Sequence, residues 1–198
     1  MTYFKQPINY ILVTDSAVEP ITLAEVKTYL RIDTTDYDNI LTPLIQTVRQ
    51  LAEKITGRDF INKTWKTYLD RFPTCEGIEI KKSKLQSITS IKYYTDSVLT
   101  LLASSVYYNT EDASYSSIYL VDGQSYPTTD CRKQAVEIIF VSGYGATASD
   151  VPQALRQAMI THVAYLFENT GDCADGGVAQ FKSMYLPYIL AQKLVLVI

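Results

Sequence analysis

The sequence holds one histidine, one tryptophan and three widely spaced cysteines. Any Ser/His/Asp or Cys/His scheme would therefore have to pass through His162, and no G-x-S-x-G elbow exists to partner it. His162 falls on or beside an apolar helical face and reads as a packed or partly exposed helix histidine. Cys75, Cys131 and Cys173 are odd in number and lack C-x-x-C spacing, which argues against a disulfide framework and a zinc site. They read as free thiols of a reducing compartment. Neither G-x-G-x-x-G nor G-x-x-x-x-G-K-[ST] occurs, so Gly143-Tyr144-Gly145 reads as a sharp exit turn and not a phosphate loop.

Metal chemistry is equally thin. Asp172, Cys173 and Asp175 mix hard and soft ligands in a glycine loop, a poor donor set. Asp33 to Asp38 (DTTDYD) lacks the central glycine of a calcium loop and reads as an acidic helix entry. No cofactor and no metal are expected. No apolar run reaches the length of a membrane span. The start, MTYFKQPINYILVTDSAVEP, lacks the pattern of a secretory leader, so the expected compartment is the cytoplasm, or an assembly that leaves it. A formal charge of −3 disfavours a general nucleic-acid-binding surface. The basic cluster Lys81, Lys82 and Lys84 stands beside Glu76 and Glu79 and reads as a solvated strand edge.

What is present is pattern. The chain has 198 residues, of which 47% are hydrophobic, ordinary for a globular protein. Tyrosine is abundant, 16 against 6 phenylalanines, which suits strands and protein interfaces. Residues 1 to 18 carry a strand-like piece at Tyr10 to Val13 but no helix signal, and read as an extended arm. Thr22 and Glu25 form a capping box ahead of a short helix carrying Leu23, Val26 and Leu30. A long helix follows, ending at Gly57, with Ile40, Leu41, Leu44, Ile45, Val48, Leu51, Ala52 and Ile55 at helical spacing. Either Thr42 caps it with Pro43 in the first position, or a turn bends there. A charge at Leu44 or Leu51 is expected to break this core.

From Ile61 the period becomes two. Strands are expected at about 63–72, 77–82, 88–95, 98–102, 106–109, 117–121 and 135–142. AVEIIFVS at 135–142 is the most apolar and should lie centrally. The helical period returns after Gly145, with Ser149 or Asp150 as cap and Leu155, Ala158, Met159, His162, Val163 and Leu166 on one face. Phe181 to Ile198 is apolar; it packs on its own core or docks on another chain, and its final LVLVI suits helix or strand.

The expected architecture is α+β: a helical core of three to four helices from both chain ends, with an inserted small antiparallel β-sheet or sandwich. Residues 1–60 supply the arm and first two helices, 61–145 the β-rich insertion, and 146–198 the third helix and a partner-docking segment. The expected scaffold is Leu23, Val26, Leu30, Leu41, Leu44, Val48, Leu51, Ile55, Leu155, Met159 and Leu166. The insertion's ends, near Asp59 and Gly145, should then lie close together.

ITLAEVKTYLRID, DTTDYD, the helix closing in ITGRDF, TWKTYLDRFP, IEIKKSKLQSITSIKYY, FVSGYG and DVPQALRQAMITHVAYLFEN follow in that order. The series, over residues 19 to 170, resembles the head–tail connector (adaptor, or head-completion) proteins of tailed bacteriophages and related gene-transfer particles, in a longer form with a β-insertion. The resemblance implies a structural virion protein and no enzyme. It implies a homo-oligomeric ring, usually twelve-fold, beneath the portal. That ring extends the DNA channel and offers a platform to the stopper or tail-completion protein. DNA would pass without sequence-specific binding, and no membrane is involved. The location implied is the head–tail interface of the virion, and the host bacterial cytoplasm during assembly. The family's C-terminal segment engages the portal, which here points to Tyr185, Leu186, Pro187, Tyr188, Ile189, Leu190, Leu194, Val195, Leu196 and Val197. The LVLVI end departs from the polar or basic ends of familiar members. An alternative function is a Tyr-rich β module recognising a saccharide or another virion protein through Tyr107, Tyr108, Tyr115, Tyr119 and Tyr126. A small hydrolase built on His162 ranks last.

Overall fold

The computed structural model describes residues 9–74, 77–82, 84–111 and 116–169. The chain divides into two compact units. One is helical and takes Ser16–Ile61 together with the stretch from Tyr144 onward. The other is β-rich and takes the residues up to Asp15 together with Asn62–Gly143.

The helical unit contains α1 (Leu23–Leu30), α2 (Asp38–Thr56) and α3 (Gln153–Glu168). α1 opens with the expected capping box. Glu25 N–H donates to the Thr22 hydroxyl at 3.2 Å, and Thr22 N–H donates to the Glu25 carboxylate at 2.8 Å. Its end is a left-handed Arg31, whose N–H returns to the carbonyls of Lys27 and Thr28.

α2 begins earlier than the sequence suggests. It starts at Asp38, so Pro43 lies inside the helix and Thr42 does not cap it. Proline removes one ladder bond there. The hydroxyls of Thr42 and Thr47 back-bond to the carbonyls of Asp38 (2.8 Å) and Pro43 (2.9 Å), one turn below each. Asp38 in the first turn pairs with Lys27 of α1 at 2.7 Å, which ties the two helices and favours the helix dipole. Gly57 closes α2 at φ 66°, a conformation in which glycine has no side-chain penalty.

The helical core is a stripe of Leu41, Ile45, Val48 and Ala52 against Val26, Leu155, Met159, Val163, Phe60 and Ile61. Leu23, Leu30, Leu44, Ile55 and Leu166 pack partly buried around it. Leu51 is the exception among the expected scaffold residues: it is 38% exposed. At about 100° per residue it lies about 90° off the buried stripe, so the apolar spacing that included it was too generous. α3 also begins differently. Thr147 and Asp150 form a capping box around a 3-10 turn, Ala148–Asp150, and Pro152 takes the N-cap of α3. Neither Ser149 nor Asp150 caps that helix.

The β unit holds β1 (Tyr10–Thr14), β2 (Lys63–Leu69), β3 (Ile78–Ile80), β4 (Leu85–Thr95), β5 (Val98–Leu101), β6 (Tyr107–Glu111), β7 (Ser116–Leu120) and β8 (Val136–Ser142). These form a five-stranded sheet, β1-β2-β8-β4-β5, and a three-stranded sheet, β3-β7-β6. Every neighbouring pair is antiparallel. β8 sits in the middle, as its apolar composition predicts. Its Val136, Ile138 and Phe140 face a core shared with Phe72, Ile80, Ile91 and Ile118.

Residues 10–14 do not trail from the helices as an arm. They form β1, an edge strand on β2, with Tyr10 opposite Thr67 and Leu12 opposite Trp65. YILVT is uncharged and carries strand propensity, but its partner lies fifty or more positions away, so no local signal could name the pairing. The loop between β7 and β8 is tied down by two carboxylates. Asp130 accepts from the N–H groups of Asp96 and Ser97 (2.9 and 2.8 Å), and Asp70 accepts from Gln134 N–H (2.9 Å).

Candidate functional site

The polar chemistry of the helical unit converges on its packing and away from solvent. The Arg49 guanidinium, 4% exposed, donates to Glu19 at 2.8 Å and to Glu53 at 3.1 Å. The other Glu53 oxygen accepts Phe60 N–H at 3.1 Å. This network fixes the chain as it leaves α2. Tyr144 N–H donates to Phe60 O at 3.2 Å and the Tyr144 hydroxyl accepts from Arg58, so the two ends of the insertion meet here. On the β side, Gly143 has φ 149°, and a Cβ there would stand 2.7 Å from Asn62 N. Only glycine permits that approach.

A second anchor joins α3 to the entry of α1. Arg156 donates to Pro20 O at 2.9 Å and pairs with Glu25. Burial raises the Glu25 pKa, but the hydrogen bonds from Thr22 and the charge of Arg156 outweigh it and hold the carboxyl below its ordinary value. A groove of about 760 Å³ runs along α1, lined by Leu23, Lys27, Arg31 and Asp33. No nucleophile and base converge in it. His162 is 2% exposed, and burial pushes its pKa down to about 4. It is therefore neutral at pH 7 and packed in α3. Among the described residues no group of three His, Cys, Asp or Glu side chains is placed to hold a metal ion, and no helix is long and apolar enough to cross a membrane.

The expected site residues fall in different places. Tyr185 to Val197, Cys75, Glu76, Cys173, Asp172, Asp175 and Tyr115 lie outside the described residues. Cys131 is an exposed free thiol. Lys82 lies over the Trp65 ring at 3.7 Å, and Lys81 N–H donates to the Tyr10 hydroxyl at 2.6 Å, so that cluster serves the fold. Of the tyrosines proposed as a binding module, Tyr126 stacks on Phe72 at 4.5 Å and Tyr107 packs on the β core. Of the described ones, only Tyr108 and Tyr119 stand exposed, as a pair 6.0 Å apart. Sequence spacing could not have separated these two sets.

What the surface does offer is apolar. Ile11, Leu12 and Val13 on β1 are exposed, as are Val98, Leu99 and Leu101 on β5. In the helical unit Tyr29, Tyr37, Ile40 and Leu51 are exposed. Single exposed apolar residues are ordinary, but runs on two sheet edges point to contact surfaces. Anchored helices and exposed apolar sheet edges suit a protein that packs against others.

Solved structures share this fold. A chain of the "Neck of empty GTA particle computed with C6 symmetry" matches with a TM-score of 0.73 and 20% identity, over 89% of this chain and 94% of that one. A chain of the "Virion of native gene transfer agent (GTA) particle" gives 0.72 and 21%, with the same coverage. A chain of the "Neck of native GTA particle computed with C12 symmetry" gives 0.66 and 21%, over 88% and 94%. No curated protein matches the sequence. The head completion protein family matches residues 19–173. The chain belongs to that family, and is a structural virion protein of the head–tail connector.

Proposed function

We propose that this protein is a ring-forming connector subunit with no catalytic role. Copies assemble beneath the portal, extend the DNA channel and present a platform to the stopper or tail-completion protein. DNA passes through the ring without sequence-specific contacts. Subunits gather in the host cytoplasm and end in the virion neck. The observation that carries this reading is the family match across residues 19–173, which includes all three described helices and every described strand except β1. Its solved neighbours come from particles whose necks were computed with twelve-fold and six-fold symmetry, which suits a ring.

The C-terminal segment, Tyr185 to Leu190 and Leu194 to Val197, is the proposed portal contact. Negative-stain microscopy of the purified chain, alone and mixed with the portal of its particle, tests the ring. Rings on the portal are expected; a monomer that ignores the portal at high concentration overturns the reading. Deleting residues 187–198 should leave the helical signal intact and weaken portal binding. Loss of the fold would place that segment in the core.

A further inference from the structure

We propose that subunits join head to tail through the two edges of the five-stranded sheet, β5 of one copy against β1 of the next. The inference rests on the ring reading above and names the surface that closes the ring.

Natural sheets guard their edges with charge, proline or a covering element. The edge strand β3 of the smaller sheet follows that rule, with Glu79 in it and Lys81 and Lys82 after it. β1 (YILVT) and β5 (VLTL) contain no charge and no proline. Ile11 is 49% exposed and Leu101 61%. No described residue pairs with the outer side of either strand. The backbone of β5 is set for a partner. Leu102 N–H donates to Ile91 O, and Lys92 faces Leu101, so residues 98, 100 and 102 bond to β4. The N–H and C=O groups of Leu99 and Leu101 then point outward.

Ring closure selects the partner. Four antiparallel steps separate β1 from β5, so both edges run the same way. A second copy moved alongside brings its own β1 to β5. That contact joins unlike surfaces and repeats, which is what a closed ring requires. A two-fold pairing would instead join β5 to β5 or β1 to β1. The contact must also be short. Strands twist by about 20–25° each, so β1 and β5 differ by about 80–100°, whereas neighbours in a ring of about a dozen turn by only about 30°. The strands cross, and the apolar side chains at Leu99–Leu101 and Ile11–Val13 carry the interface.

The test uses the full chain with Cys75, Cys131 and Cys173 replaced by serine. With I11C and L101C together, oxidation on assembled rings should give a ladder of covalent multimers. Either cysteine alone should give none, because like edges do not meet. Separately, I11K alone and L101E alone should each lose rings while keeping wild-type circular dichroism. The double variant I11K/L101E should recover them, because the opposite charges then face each other across every interface. Covalent dimers from a single cysteine, or rings that persist in both single charge variants, overturn the edge contact while leaving the ring reading intact. Wild-type protein that forms no ring with its portal overturns both.

Discussion

The two units solve the same packing problem with different chemistry. The helical unit buries charge: Arg49, Glu53, Arg58 and Asp59 are nearly inaccessible, and beside these charged groups it also buries the neutral His162. Among its described residues, the β unit buries aliphatic and aromatic side chains, a few hydroxyls and a single ionised group, Lys63, which pairs with Asp15 at 3.0 Å. The difference follows from backbone supply. A helix satisfies its own interior hydrogen bonds but leaves its ends open, so side chains must fix the chain where it enters and leaves. Sheets satisfy their backbone across the ladder and need buried side chains mainly for packing. The helical unit should therefore answer to charge and pH, and the β unit to volume.

The single tryptophan, Trp65, sits in β2, so its emission reports the β unit while ellipticity at 222 nm reports the helices. Comparing the two probes can break or sharpen the contrast. The largest effect is expected from Val48→Asp, which puts a charge into a fully buried site and costs about 4 kcal/mol or more. Helical ellipticity should collapse; a wild-type melting curve would mean the buried stripe of α2 is misassigned. Next, Glu53→Ala leaves the Arg49 guanidinium and Phe60 N–H without their shared partner, at a cost of about 3–5 kcal/mol. Chemical denaturation followed at 222 nm should show it, and a loss under 1 kcal/mol would place the network with ordinary surface pairs.

Acid comes third. The folded pKa of His162 lies below its unfolded value of 6.5, so the unfolded chain binds the proton first. Stability is full above pH 6.5 and falls as pH drops toward about 4, by about 1–3 kcal/mol. The lowered Glu25 carboxyl acts in the same direction below its unfolded value of 4.5. The 222 nm midpoint should therefore drop between pH 6.5 and 4 in wild type and much less in His162→Leu. Equal drops would remove the histidine from the account. Gly143→Ala should cost about 1–3 kcal/mol, seen by both probes, because φ 149° and the Asn62 contact exclude a side chain. The smallest effect belongs to Leu51→Asp, within about 0.5 kcal/mol, because that residue is exposed.

Local rules carried far in this chain. The Thr22–Glu25 capping box, the α2 period, the Gly57 stop and the central place of β8 were all legible, because each depends on neighbours in sequence. The failures share one cause. Pro43 is tolerated inside α2 because packing of the stripe outweighs one lost ladder bond. Thr147 caps a short turn ahead of α3, which propensity alone could not place. The described binding-module tyrosines split by tertiary contact: Tyr107 packs on the β core and Tyr126 stacks on Phe72 from a loop, while Tyr108 and Tyr119 face solvent. For the candidate surface, the family match reached residues 19–173, but the apolar edges could be seen only once strand order was known.

Sequence by itself determined the class of protein, α+β with a helical frame, a β insertion and no legible catalytic centre. Periodicity and caps are short-range quantities, and the ordered motifs carried the family resemblance. Tertiary structure alone decided that residues 10–14 close one edge of the five-stranded sheet and 98–101 the other, running in the same direction. That arrangement depends on pairing between distant strands, where the energy of each ladder comes from partners that local sequence does not name.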